Sequence, residues 1–356
     1  MRYIEAVHAQ GKNLRTSRAA VTDRLHSLDL ARWRNRRLAV TGMGASTNAI
    51  TAVLPAFWSA GLTAFGWLGS ELERAGQAAG ADAVIAVSQT GQSAEIFSAL
   101  RHLPDGCPRL VVTDVEDSPI GRLADATIPL ALLEDSKVRT LGYTGTVQAL
   151  LLLRDALAPG FAPATDWDQL ADELDGLLPS ATELAVGLLS ALRGVTAFDV
   201  VGSGVHAGTA AQAALLLREV CKLPAASYET YQYLHGPIEA AAPGRALIAI
   251  GGAREAKLAE SMAAIGATVL LITAASLPQA TGGRPTMTVF GLPPAAAAAG
   301  DLARPGSGDP ARPGPGDLAQ AVLAILPVQT IIGLLAEDLG CADGEFLHHQ
   351  DDTKVS

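Results

Sequence analysis

One local pattern constrains this sequence more than any other. A short apolar run ends in a turn of glycine and hydroxyl residues, and a helical stretch follows at once. "RRLAVTGMGAS", "ADAVIAVSQTGQS" and "PRLVVTDVED" follow it in the first half, with "LTAFGWL" and "ADATIPLALLED" as further strand-like runs and "YTGTVQALLLLRDAL" as an apolar helix. Residues 1–34 read as helices with a polar face. Strands that alternate with helices predict a parallel sheet covered on both faces, because a parallel crossover needs a helix-sized connection. The pattern pauses at "APGFAPATDWDQ" and then restarts with "TAFDVVGSGVHAG", "AAQAALLLREVCKL", "RALIAIGGAREAKLAESMAAIG", "ATVLLIT" and "PTMTVFGL". A pattern that restarts whole is a repeat on the scale of a domain. The expected layout is a helical segment over 1–34, a first α/β domain over 35–160, a second over 161–340, and a tail over 341–356.

Composition supports this. A chain of 356 residues suits two domains, and 49% hydrophobic against 17% charged residues can fill their cores. The net charge of −10 argues against a nucleic-acid surface, which needs clustered Lys and Arg. Cys107, Cys221 and Cys341 form no CxxC pair and no disulfide framework, which points to a reducing cytoplasm. The first twenty residues contain no apolar core of a signal peptide, and the alanine-rich runs are expected to be broken by Gly, Pro or charge before membrane-spanning length. Residues 293–316 are Pro- and Gly-rich low-complexity sequence, expected to form a mobile surface loop.

The turn Ser88-Gln89-Thr90-Gly91-Gln92-Ser93 is the most crowded with polar groups. Ligands of parallel sheets bind beyond the carboxyl ends of the strands, and a helix N-terminus there offers free N–H groups and partial positive charge. Ser88, Thr90 and Ser93 would add hydroxyl donors and Gln89 an amide; Gly91 would let the backbone approach closely. Read from the residues alone, they are either helix caps or a phosphate cradle. "TGMGAST" at 41–47 poses the same question. A dinucleotide reading of its G-x-G wants an acidic residue at the end of "LTAFGWL", and none closes that run.

Several stretches resemble the sugar isomerase (SIS) family. "VSQTGQSAEIFSAL" resembles its S-Q-S-G-x-T/S signature and "GMGASTNA" its first loop. "REVCKLPAASYETYQYLHGP" and the run "ILPVQTIIGLLAEDLG" are similar to the isomerase half of glucosamine-6-phosphate synthase. The resemblance implies two tandem SIS domains, each a flavodoxin-like three-layer α/β sandwich with a parallel sheet flanked by helices. It assigns phosphate contact to Ser46, Ser88, Gln89, Thr90 and Ser93. These 356 residues leave no room for the synthase's glutaminase domain, so ammonia from glutamine is not expected here.

Aldose–ketose interconversion moves a proton between C1 and C2, which needs a base reaching both carbons and a second acid–base group for the oxygens. By resemblance these are Glu219 and, sixteen positions on, His235 in "YLHGP". Alone, a helix glutamate beside Arg218 would read as a solvated charge and a histidine before Gly-Pro as structural. In the family that histidine serves a neighbouring subunit, which implies a homodimer. The sequence departs from the family in three places. Leu216 stands where the helix commonly has a lysine. The tail "DGEFLHHQDDTKVS" lacks the family's Pro-Arg, and its single lysine, Lys354, is either a group that reaches the sugar carbonyl or part of a loose end. His348 and His349 are open in the same way. Lys137 and Arg139 replace small residues and read as surface charge or as an extra anion contact.

No metal set is visible, since the histidines lack HExxH spacing or a partnering cysteine pair, and no cofactor is implied. The expected protein is a cytoplasmic, homodimeric phosphosugar isomerase or amino-sugar-phosphate deaminase working on a ketose-6-phosphate or amino-sugar phosphate. The alternatives are a deglycase on a phosphorylated sugar–amine adduct and a non-catalytic sugar-phosphate-binding regulator. A phosphorylated sugar is the expected partner; nucleic acid and membrane are not.

Overall fold

Two five-stranded sheets, parallel in every pairing, organise the chain. The structure is a computed structural model and describes residues 1–160, 165–275, 286–293, 315–341, 346–348 and 350–355. The low-complexity stretch 294–314 and His349 lie outside the described residues. The chain divides into two compact units, one of Lys12–Asp135, Leu141–Pro163 and Phe346–Ser356, the other of Met1–Gly11, Ser136–Thr140 and Ala164–Glu345. The first is called the β1–β5 unit below and the second the β6–β10 unit.

In chain order the elements begin with α1 (Tyr3–His8), which belongs to the β6–β10 unit, and α2 (Gln10–Ser27). The β1–β5 unit continues with β1 (Leu38–Gly42), α3 (Ala45–Ser59), β2 (Ala64–Leu68), α4 (Gly69–Ala75), β3 (Ala83–Val87), α5 (Ala94–Arg101), β4 (Arg109–Thr113), β5 (Ala126–Pro129) and α6 (Leu141–Leu157). Its strand order is β2-β1-β3-β4-β5. The central strands β1 and β3 are buried at every residue, as parallel strands covered on both faces must be. Leu72, Ile96, Ala99 and Leu100 of α4 and α5 pack with Ala39, Val84, Ala86 and Val111 on one face, while α3 lies against β1 and β2. Edge strand β2 is largely exposed.

The β6–β10 unit holds α7 (Trp167–Leu192), β6 (Ala197–Gly202), α8 (Val205–Glu219), β7 (Ala225–Glu229), α9 (Thr230–Leu234), β8 (Arg245–Ile250), α10 (Ala253–Ala264), β9 (Thr268–Thr273), β10 (Met287–Gly291) and α11 (Pro315–Asp338). Its order, β10-β9-β8-β6-β7, is the first sheet's order written backwards, so the topology is the same. One face packs Leu247, Ala249, Val269 and Leu271 against Leu258, Ala259 and Met262 of α10. On the other, Phe198, Ile248 and Leu270 meet Leu192 of α7, Leu217 of α8 and Ile332 of α11. The expected tandem α/β fold is what the chain adopts.

One expectation needs correction. Leu318–Asp338 is 21 residues with a mean hydropathy of 2.0, long and apolar enough to cross a membrane, and Pro327 does not interrupt it. Of its most apolar 18-residue window, 89% is buried inside the protein, and the helix packs on α7 and α8. A helix that is apolar all round serves a core as well as a bilayer.

Candidate active site

In each sheet the order reverses beside the first strand, between β1 and β3 and again between β6 and β8. At such a reversal the connections leave in opposite directions and open a crevice at the carboxyl edge. In the β1–β5 unit, the turns after β1 and β3 flank that crevice. The first carries Ser46 in the opening turn of α3, with Gly44 at φ 55° and ψ −126° as its N-cap. Only glycine adopts that conformation at low cost. Ser46 is half-buried and its hydroxyl has no hydrogen-bond partner among the described residues.

The second turn is Ser88–Ser93. Ser88 is buried, its N–H donating to Val112 O at 3.1 Å, and Gly91 N–H closes the turn on Ser88 O at 3.0 Å. The Gln89 carbonyl accepts from Asp114 N–H at 2.9 Å and from the Thr113 hydroxyl at 3.3 Å, which anchors the loop to the end of β4. The Ser88 and Ser93 hydroxyls lie 3.2 Å apart. Ser93 is the N-cap residue of α5, yet its side chain makes no capping bond. Ser93 therefore does not cap α5 through its side chain: among the described residues no side chain accepts from the first N–H groups of α5, and the two serine hydroxyls lie close together at its start. The side chains of Gln89 and Thr90 are half-buried and likewise lack a partner among the described residues. The result is an uncharged set of donors at a helix N-terminus, suited to an anion of phosphate size.

The tail is seated on this loop. Lys354 forms an antiparallel bridge with Ser93, and Val355 N–H donates to Gln92 O at 2.8 Å. The backbone of the tail is thus fixed beside the cradle, and the Lys354 side chain is exposed. His348 is exposed as well.

The acid–base candidates belong to the β6–β10 unit. Glu219 is the last residue of α8, and its carboxylate makes no hydrogen bond among the described residues. Burial pushes its carboxyl above the ordinary glutamate range, with Arg218 and Lys222 pulling it back only in part. Arg218 turns away and donates to Ala225 O at 3.0 Å. Leu216, in the place of the family lysine, is fully buried. His235 caps the end of α9 and leads into Gly236, at φ 148°, and Pro237; its side chain is exposed and makes no hydrogen bond among the described residues. No hydrogen bond joins Glu219 and His235. Lys137 and Arg139 are exposed, as surface charges would be.

Sequence reasoning missed Lys222. It sits at φ 58° just past α8, and its ammonium donates to the Glu219 carbonyl at 2.6 Å. The signal was a cation three residues after the glutamate in "REVCKLP", at the end of a helix where positive charge is favoured.

No family model matches the chain. It is 30% identical over 178 residues to the glutamine–fructose-6-phosphate aminotransferase (isomerizing) of Thermococcus kodakarensis, covering 47% of this chain and 29% of that protein. It is 27% identical over 213 residues to the same enzyme of Aeropyrum pernix, covering 56% and 34%. The chain spans about a third of the length of these curated relatives. Among solved structures, the C-terminal domain of glucosamine-fructose-6-phosphate aminotransferase from Francisella tularensis superposes with a TM-score of 0.74 at 16% identity, covering 97% of this chain and 98% of that one. The chain has the fold of the tandem SIS-domain proteins. Other double-SIS folds match it as fully: glucosamine-6-phosphate deaminase from Thermotoga maritima (TM-score 0.72, 18% identity, 98% of each chain) and tagatose-6-phosphate ketose/aldose isomerase from Escherichia coli (0.74, 18%, 98% and 96%).

Proposed function

We propose that this double-SIS protein is a phosphosugar isomerase or amino-sugar-phosphate deaminase that works by proton transfer through an enediol or enediolamine. The observation that carries the reading is Glu219, a half-buried carboxylate with no hydrogen-bond partner among the described residues, raised by burial toward the range useful to a general base. The names of the relatives support a phosphorylated sugar as substrate.

In this reading Ser46, Ser88, Gln89, Thr90 and Ser93 hold the phosphate. Glu219 takes a proton from one of C1 and C2 and returns it to the other, while the electron pair moves through the enediol. His235 moves the ring-oxygen proton when the ring opens. The exposure of His235 supports its service to a neighbouring subunit in a homodimer. Lys354, held beside the cradle through Ser93, closes over the open-chain sugar. A cytoplasmic location goes with this metabolism. In the deaminase variant, the enolamine formed in the same way is protonated at C1 to give a C2 imine; water adds to that carbon and the nitrogen leaves as ammonia.

A panel of hexose and amino-hexose phosphates, assayed for ketose formation and ammonia release, tests the proposal and separates the two reactions. Turnover of none of them, with sugar phosphate still bound, would replace the enzyme by a sugar-phosphate sensor. Removing the Ser88 and Thr90 hydroxyls together is expected to weaken sugar-phosphate binding, at roughly 1.5–3 kcal/mol for each charge-assisted bond lost. Isothermal titration of the double alanine variant measures it, and unchanged affinity would remove the cradle from the assignment. Sedimentation is expected to show a dimer; a fully active monomer would exclude a histidine shared between subunits.

A further inference from the structure

The corresponding sheet edge of the β6–β10 unit is closed from inside. The residues Ser88–Ser93 join β3 to α5, but only Gly251 and Gly252 join β8 to α10. The carboxylate of Glu255, 3% exposed, fills this shortened turn. Its Oε2 accepts from Gly252 N–H at 2.9 Å, an ordinary way to cap a helix from its third residue. Its Oε1 does more: it accepts from the Ser203 hydroxyl at 2.9 Å and from the Thr230 hydroxyl at 2.6 Å. Ser203 lies in the turn between β6 and α8, and Thr230 opens α9.

The two units answer each other position by position. Ser203 and Met43 are the middle residues of the Gly-x-Gly turns 202–204 and 42–44. Thr230 and Gly69 are the first helical residues after β7 and β2, and Glu255 and Ile96 the third helical residues of α10 and α5. The close approach is the same in kind: a Cβ on Gly69 would come within 2.7 Å of Ile96 Cδ1, where Thr230 instead touches Glu255. One unit makes the contact from apolar or absent side chains, the other from two hydroxyls and a carboxylate.

This polar contact stands at the head of both helices that bear the acid–base candidates. From it α8 runs to its last residue, Glu219, and α9 runs to its C-cap, His235. We propose that Glu255 is a positioning residue, whose one buried carboxylate oxygen pins the starts of the helices that end on Glu219 and His235. The inference rests on the reading of those two as the acid–base pair. Hydroxyl-to-carboxylate bonds are short and strong, and Thr230 is fully buried, so losing the acceptor strands its hydroxyl without water to replace it. A helix is a rigid lever, and catalysis is sensitive to displacements of about 1 Å.

Hydrogen exchange and steady-state kinetics on the full chain test this, with Glu255→Ala, Glu255→Gln and formate as a carboxylate probe. In Glu255→Ala, amides of 205–208 and 230–235 are expected to exchange roughly tenfold faster or more, with the 88–93 loop unchanged. Formate should restore part of the protection. Turnover should fall roughly 10–100-fold while KM for the sugar phosphate barely moves, because the cradle is untouched. Glu255→Gln keeps the shape but must turn an amide N–H2 toward donors, so it should fall between wild type and Glu255→Ala. If Glu255→Ala does not fold, Glu255→Gln gives the same readouts. Wild-type exchange at both helix starts, or faster exchange spread evenly over both units with no response to formate, would overturn the proposal. Absence of turnover in the unmodified protein would instead remove the acid–base reading, and the exchange result would still report whether Glu255 pins the two helices.

Discussion

Glu219→Gln is expected to lower turnover by about 10²–10⁴-fold while leaving sugar-phosphate binding nearly intact. The amide keeps the shape of the side chain but cannot accept a carbon-bound proton. Solvent deuterium incorporation at C1 or C2, followed by NMR, measures the step directly. Exchange at the wild-type rate would mean that another group is the base. The pH dependence has a definite sign. The base must be ionised, so turnover rises as pH passes upward through the raised carboxyl value. Stability runs the other way. A carboxyl raised in the folded state contributes stability that is fully present below the unfolded value, about 4.3, and is lost as pH climbs through the folded one. Glu219→Gln should therefore match wild type in acid and melt higher at neutral pH, losing activity and gaining stability in one substitution.

Gly91→Ala should be strongly damaging to the β1–β5 unit. Gly91 has φ 65°, and a Cβ there would collide with the side chain of Ser118, which is buried and accepts from Gly121 N–H at 3.1 Å. The left-handed backbone costs a non-glycine residue roughly 1–2 kcal/mol, and the overlap about 1–3 kcal/mol more. Set against total stabilities of about 5–15 kcal/mol, that loss is large. Gly106→Ala is the control, because Gly106 has φ 80° but nothing within 4 Å of the added carbon. It should show the backbone cost alone. Urea unfolding of the two variants compares them, and equal midpoints would mean that the Gly91 turn yields to make room. The affinity for sugar phosphate should drop with Gly91→Ala only, since the strain falls inside Ser88–Ser93.

The sheets were legible because β-branched runs such as "AVIAV" and "RLVVT" are bounded by turn residues on both sides. The polar turn Ser88–Ser93 was legible too, but not its use, since hydroxyls at a strand-to-helix turn suit a helix cap as well as a phosphate. The helical character of 315–338 was legible but not its place, because length and hydropathy look alike for a core helix and a membrane span. The sequence could not show that Ser93 leaves its cap bond unmade, because that depends on where the hydroxyl of Ser88 points. Lys222 left only a general signal, a cation at a helix end; the φ of 58° that turns it back on α8 is not written in "VCKLP". Glu255 was hidden by distance along the chain, since its partners lie 52 and 25 residues away.

The three matched positions of the two units also restrict the order in which substitutions can accumulate. Met43, Gly69 and Ile96 form one self-consistent set, and Ser203, Thr230 and Glu255 another. Exchanging one member alone leaves a mixed set: a buried carboxylate beside a methionine, or a hydroxyl facing an isoleucine. Each mixed state pays for a polar group without its partner, about 1–3 kcal/mol and more when that group is charged. A two-position exchange still leaves one group mismatched. The triplet therefore behaves as a single heritable character, with the fitness of each residue defined only by the other two. Mutational cycles across the three sites should show couplings as large as the single effects, whereas sites well apart within the same unit should combine additively.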